Sequence, residues 1–123
     1  MLKNVFLVAI GGGAGSALRY LTAVLVSKYY SQAFPFATFI ANVAGCLFTG
    51  LLIGFLSKMQ IAGQDLKWLL ITGFCGGYTT FAAFGYENVS LFQNNNATLA
   101  LAYIAISISA GLAAVWLGLF LSR

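Results

Sequence analysis

Histidine is absent from the 123-residue chain, acids number two and proline one. No nucleophile, base and orienting group can be assembled from that inventory, so an enzyme is not expected. The two cysteines, Cys46 and Cys75, lie in apolar runs without CxxC spacing and read as small packing residues, not as ligands or a disulfide. Charge is scarce as well: 7% of the residues carry it, against about a quarter in soluble domains. The six cations are scattered along the chain and not clustered, so neither a nucleic-acid patch nor a lipid-headgroup patch is expected.

What the chain has instead is apolar length. Hydrophobic residues make up 61% and the mean hydropathy is +0.93, which together describe an integral membrane protein. Four apolar stretches stand out at residues 4–26, 36–57, 67–92 and 97–121. Each reaches the length of about 20 residues that a helix needs to cross the hydrocarbon core. The first runs past Arg19 without a small-x-small cleavage site and reads as a helix that stays, not a signal peptide. Links at 27–35, 58–66 and 93–96 are short and polar, which makes antiparallel neighbours. The expected fold is an all-α membrane protein, one four-helix transmembrane domain over residues 1–123.

Small residues recur at spacings of four: Gly11/Gly15, Gly50/Gly54, Gly73/Gly77 and Ala110/Ala114/Gly118. Every helix thus offers a close-packing face, and so much of it favours self-association as well as internal packing. Arg19 lies within an apolar span, where a guanidinium must meet water, carbonyls or an acid; it reads as an attractor for an anion or as a structural tether. Thr38, Asn42, Gly45, Cys46 and Thr49 fall on one face of the second span. Such a stripe either bonds to a neighbouring helix or lines a wet path, and the Asn42 amide offers two donors that can replace water around an anion.

The third span is the least comfortable as a helix. Residues 73–87 read GFCGGYTTFAAFGYE, with paired glycines (Gly76, Gly77), paired threonines (Thr79, Thr80), Phe81 and Phe84 three apart, and Glu87. Glycine and β-branched threonine both disfavour helix, so a break is expected near the middle of the span, around residues 78–80, with a plain glycine kink as the simpler alternative. Irregular backbone at that depth is tolerated only when buried in protein or lining a cavity, and broken helices there recurrently build ion sites. Phe81 and Phe84 share a helix side, and ring edges carry partial positive charge on which a desolvated anion can rest; core packing is the plainer alternative. Glu87 reads either as a solvated, snorkelling carboxylate or as part of a vestibule. In the fourth span Tyr103, Ser107 and Gly111 are in register on a narrow polar face.

Three motifs resemble the Fluc (CrcB) family of bacterial fluoride channels: GGGAGSALRY ending at Tyr20, TFIANVAG ending at Gly45, and the stretch 73–87. The resemblance spans nearly the whole chain. It implies passive fluoride export through pores of an antiparallel, dual-topology dimer in the bacterial inner membrane. Phe81 and Phe84 would be the anion-facing phenylalanines and Asn42 the pore-lining asparagine. Thr38, Thr80, Glu87, Tyr103 and Ser107 would lie along or beside the fluoride pathway, with Arg19 attracting the ion or tethering the helix. The carbonyls of Gly76 and Thr79 would hold a central structural sodium ion (Na+).

Two departures from the family pattern matter. Members usually read Thr-Thr-Phe-Ser-Thr-Phe-Ser, whereas Ala82, Ala83 and Gly85 stand here in place of hydroxyls. With four spans, Lys3, Lys58, Lys67 and Arg123 would share one side against Lys28 on the other, which favours a cytoplasmic N-terminus. An antiparallel homodimer is the first expectation, and a heterodimer with a paralogous subunit the second. Competing functions are a small proton-coupled multidrug-type exporter, for which Glu87 is the sole intramembrane acid, and a non-transporting membrane scaffold, which would leave the break without purpose.

Overall fold

The computed structural model describes residues 1–59 and 61–123. Helix α1 (Leu2–Tyr29) is followed by α2 (Phe36–Leu56) and the short α3 (Ile61–Leu66). A π-helical segment, Lys67–Cys75, then leads into the single turn α4 (Gly76–Tyr78), and the chain ends with α5 (Phe81–Gln93) and α6 (Ala97–Leu121). Among the described residues there is no strand.

Helices α1, α2 and α6 are each long and apolar enough to cross a bilayer, with mean hydropathies of 1.3, 2.1 and 2.2. At most 22% of each apolar window is buried within the chain, so most of that surface is left for lipid or another subunit. The chain is a multi-pass membrane protein. The stretch expected as its third span is not one helix: the π segment, α4 and α5 share residues 67–92.

Turn chemistry explains the element ends. Pro35, which lacks an N–H, sits immediately before α2 at its N-cap. After α5, Asn95 takes the left-handed conformation (φ 62°). The Asn96 amide then donates to Leu91 O (2.8 Å) and the Asn95 amide to Phe92 O (3.3 Å), which satisfies two terminal carbonyls and reverses the chain within three residues. The resulting α5–α6 hairpin encloses the buried cluster of Leu91, Ala100 and Tyr103, with Phe34, Phe39, Phe84 and Leu99 packed around it.

Close backbone approach, made possible by glycine, joins the remaining elements. Helix α1 lies against the π segment and α4: a Cβ at Gly11 would overlap the Leu69 carbonyl, and one at Gly77 would lie 2.9 Å from the Gly12 Cα. Helix α2 lies as close to α6, where a Cβ at Gly50 would be 3.0 Å from the Gly118 Cα. These small-residue faces are therefore consumed inside the chain. By contrast, a Cβ at Gly76 would meet nothing nearer than 3.8 Å.

The break falls where the sequence places it, and of the two residue pairs behind that expectation it is the threonines that unwind. Gly76 is helical (φ −64°, ψ −35°), whereas Thr79 (φ −81°, ψ 156°) and Thr80 (φ −150°, ψ 120°) are extended. Threonine's branched Cβ suits extended backbone, and Gly77 serves the contact with α1. The nine-residue π segment ahead of the break had no forewarning, because its short, mostly apolar run carries no pattern that distinguishes one helical period from another.

Candidate ion pathway at the helix break

Unwinding two residues inside an apolar bundle frees backbone groups that lipid cannot satisfy. Their partners define the site. Cys75 O accepts from the Thr79 amide (3.0 Å) and from Thr79 Oγ1 (2.9 Å). Gly77 O accepts from Arg19 Nε at 3.1 Å and from Ser16 Oγ at 3.5 Å. Arg19 is thus tied to the last turn before the break, the tether geometry of its two sequence readings. Thr80 Oγ1 caps α5 by accepting from the Ala83 amide at 3.1 Å.

Asn42 completes the repair. Its Nδ2 donates to Thr80 O (3.1 Å) and its Oδ1 accepts from the Thr80 amide (2.7 Å), so an α2 side chain replaces a neighbouring strand for one residue. That commitment leaves one Nδ2–H, not two, for any other partner. Among the described residues no donor reaches the carbonyl oxygens of Gly76 or Thr79.

Beside the break lies a cavity of ≈ 340 Å³ lined by Asn42, Cys46, Thr49, Thr79, Thr80, Phe81, Phe84 and Ser107, with Ile108, Gly111 and Val115. The Ser107 hydroxyl is buried and has no partner. A second cavity, ≈ 270 Å³, is lined by Ser16, Arg19, Tyr20, Ala23, Ala37, Thr38, Thr80 and Ala83. Thr80 is the residue common to both.

Aromatic rings run from the first cavity into the core. The Phe81 and Phe84 centroids are 5.8 Å apart, those of Phe84 and Tyr103 5.0 Å, and those of Tyr103 and Phe34 5.2 Å. Phe81 is 82% exposed on the single chain, whereas Tyr103 is wholly buried. The Tyr103 hydroxyl donates to Glu87 Oε1 at 2.9 Å, and Thr38 Oγ1 donates to Oε2 at 2.6 Å. Glu87 is accordingly bound into the bundle by α2 and α6 and does not snorkel.

The residues singled out from the sequence therefore fall into three connected groups. Asn42, Thr80, Phe81, Phe84 and Ser107 surround one cavity; Thr38, Glu87 and Tyr103 form a hydrogen-bonded relay; Arg19 binds the helix end. Sequence reading overlooked Ser16 at the Gly77 carbonyl and Asn88, a buried residue whose Nδ2 donates to Phe84 O at 2.9 Å while Oδ1 has no partner. Ser16 offered a signal, since it lies three residues before Arg19 on the same helix face. Nothing in the local pattern marks Asn88.

A family model described as CrcB-like protein, Camphor Resistance (CrcB), matches residues 6–119. A fluoride-specific ion channel FluC from Flavobacterium psychrophilum is 49% identical over 122 residues, covering 99% of this chain and 98% of that one. The protein of the same name from Azobacteroides pseudotrichonymphae is 46% identical over 123 residues, covering 100% and 98%. Fluoride-specific ion channel FluC 2 of Rhodococcus jostii is 49% identical over 116 residues, covering 94% and 95%. By its motifs, by the family model and by these near full-length similarities, the chain belongs to the CrcB family.

Proposed function

We propose that the chain is the subunit of a fluoride-selective channel that lets fluoride leave the bacterial cytoplasm passively across the inner membrane. The observation that carries the reading is the cavity between Asn42, Ser107 and the Phe81–Phe84 pair. A small, tightly hydrated anion must exchange its water for weak donors that do not trap it. The unpartnered Ser107 hydroxyl, the uncommitted Nδ2–H of Asn42 and the aromatic edges supply such donors, and no formal cation lines this cavity. Thr38, Glu87 and Tyr103 extend the polar route, and Arg19 stands in the adjoining cavity. The reading assigns no catalytic residue.

The working unit is an antiparallel dimer of single-domain subunits, each crossing the membrane four times, with the π segment, α4 and α5 as the third crossing. Phe81 and the open side of Gly76 are each outward surface that a second subunit would cover. The unpaired carbonyls of Gly76 and Thr79 suit a hard cation such as sodium. A bound Na+ would supply the positive charge that these oxygens lack in a lipid-surrounded bundle. The charge asymmetry of Lys3, Lys58, Lys67 and Arg123 against Lys28 favours a second assembly, a heterodimer with an oppositely inserted paralogue. A proton-coupled exporter is less well supported, since both oxygens of the one intramembrane carboxylate are engaged by hydroxyls.

The test is efflux from proteoliposomes loaded with potassium fluoride or potassium chloride, followed with ion-selective electrodes. Fluoride release without chloride release is expected. Comparable release of both anions, or none from a folded dimer, overturns the reading. Exchanging sodium for N-methylglucamine during purification is expected to dissociate the dimer.

A further inference from the structure

Away from the break, a cavity of ≈ 310 Å³ opens where α2 ends and the π segment begins. Ile53, Met59 and Ile71 form apolar wall, while Ser57, Gln64 and Lys67 add polar groups. Both flanking elements reach the end of an apolar stretch here, so the cavity lies at a membrane–water boundary. The scattered cations of the sequence gave no reason to expect a headgroup site, but folding places one of them beside an amphipathic hollow.

The polar balance of that hollow selects for anions. Carbonyls at the end of α2 are already met: Ile53 O by the Ser57 amide (3.0 Å), Gly54 O by Ser57 Oγ (2.8 Å), Phe55 O by the Lys58 amide (3.2 Å) and Leu56 O by the Met59 amide (3.0 Å). The nearby acid, Asp65, is paired with Lys3 at 3.2 Å. Among the described residues, the Lys67 ammonium has no carboxylate partner and the Gln64 amide no hydrogen bond. These carbonyls and the carboxylate are therefore engaged while the Lys67 ammonium and the Gln64 amide are open, and the wall beneath them is hydrocarbon.

We propose that this cavity binds an anionic phospholipid, with its phosphate against Lys67 and Gln64 and the start of an acyl chain along Ile53 and Ile71. Basic hollows between membrane helices are suited to such headgroups, and one lysine at a headgroup contributes about 1 kcal/mol, a factor of about five. A free phosphate would satisfy Lys67 but leave the apolar wall bare, which is why the lipid is the favoured source of the anion. The site is separate from the proposed ion pathway and does not depend on that pathway's selectivity.

Native mass spectrometry of the delipidated, folded protein with phosphatidylglycerol, phosphatidylcholine or inorganic phosphate tests the assignment. Phosphatidylglycerol should be retained about five-fold better than phosphatidylcholine, and Lys67→Gln should abolish that preference. Lys58→Gln, at a cation outside the cavity, should leave it intact. Ile53→Trp, which fills the hollow without altering charge, should also lose the lipid, and this holds the test open if Lys67→Gln fails to fold. Equal retention of the two lipids, unchanged retention in Lys67→Gln or Ile53→Trp, equal loss in Lys58→Gln, or displacement of the lipid by millimolar phosphate would each overturn the proposal.

Discussion

Asn42 and Thr80 exchange a pair of hydrogen bonds, 2.7 Å from the Thr80 amide to Oδ1 and 3.1 Å from Nδ2 to the Thr80 carbonyl. One side chain thereby satisfies both backbone groups of the residue from which α5 departs. Replacing Asn42 by Leu would strand the two groups in an apolar setting at roughly 1–3 kcal/mol each. A clear drop in melting temperature is expected in Asn42→Leu, together with at least about a tenfold fall in fluoride efflux, the equivalent of 1.4 kcal/mol on the barrier. Normal melting in this variant would mean that Thr80 finds other partners.

Glu87 receives one hydroxyl from each of two helices, and hydrogen bonds to charged groups are worth about 1.5–3 kcal/mol. Tyr103→Phe keeps the ring against Phe84 and Phe34 and removes only the donor. Lower thermal stability and slower efflux are expected for it and for Thr38→Val. Because both act on one carboxylate, the double variant should depart from additivity by more than about 0.5 kcal/mol. Strict additivity in chemical or thermal unfolding would dissolve the relay into independent contacts.

The two phenylalanines should respond differently to isoleucine. Phe84 packs on Tyr103, so Phe84→Ile disturbs the subunit core and is expected to lower melting temperature and flux together. Phe81 is 82% exposed on the single chain, so Phe81→Ile should spare subunit stability while reducing flux and weakening the proposed dimer. Flux and size-exclusion profiles measured side by side separate these outcomes. Wild-type flux in both variants would reduce the rings to packing.

Glycines between the π segment and α5 divide into those that tolerate a methyl group and those that do not. A Cβ at Gly77 would lie 2.5 Å from the Gly12 carbonyl oxygen, whereas at Gly85 nothing lies within 4 Å. Gly77→Ala is expected to abolish the folded protein in detergent. Gly85→Ala should gain stability by up to about 1 kcal/mol through helix propensity alone. Ala83→Ser, which restores a hydroxyl to the Arg19 cavity, should raise fluoride flux without changing the melting temperature.

The legibility of these features in the sequence follows the range of the interactions behind them. The break was readable because Gly-Gly and Thr-Thr are local signals, but not which pair unwinds: Gly77 answers to Gly12, 65 positions earlier, and no local pattern reports that contact. The polar stripe of α2 was readable from spacing, but not that Asn42 would spend two groups on backbone. Glu87 remained ambiguous because its partners lie 49 and 16 positions away. Small-residue faces were visible on every helix, and only packing decides that Gly11, Gly15, Gly50 and Gly118 are used internally while Gly76 is left open.

Thr80 lines both cavities beside the break, and its own N–H and C=O are both held from the side by Asn42. Side chains at 81, 83 and 84 alter the rooms; the residue shared by both is fixed through its main chain by Asn42 and through its hydroxyl by the Ala83 amide. Tuning such a passage by mutation works mainly on the approaches, and its threshold stays fixed for as long as the asparagine that holds it remains.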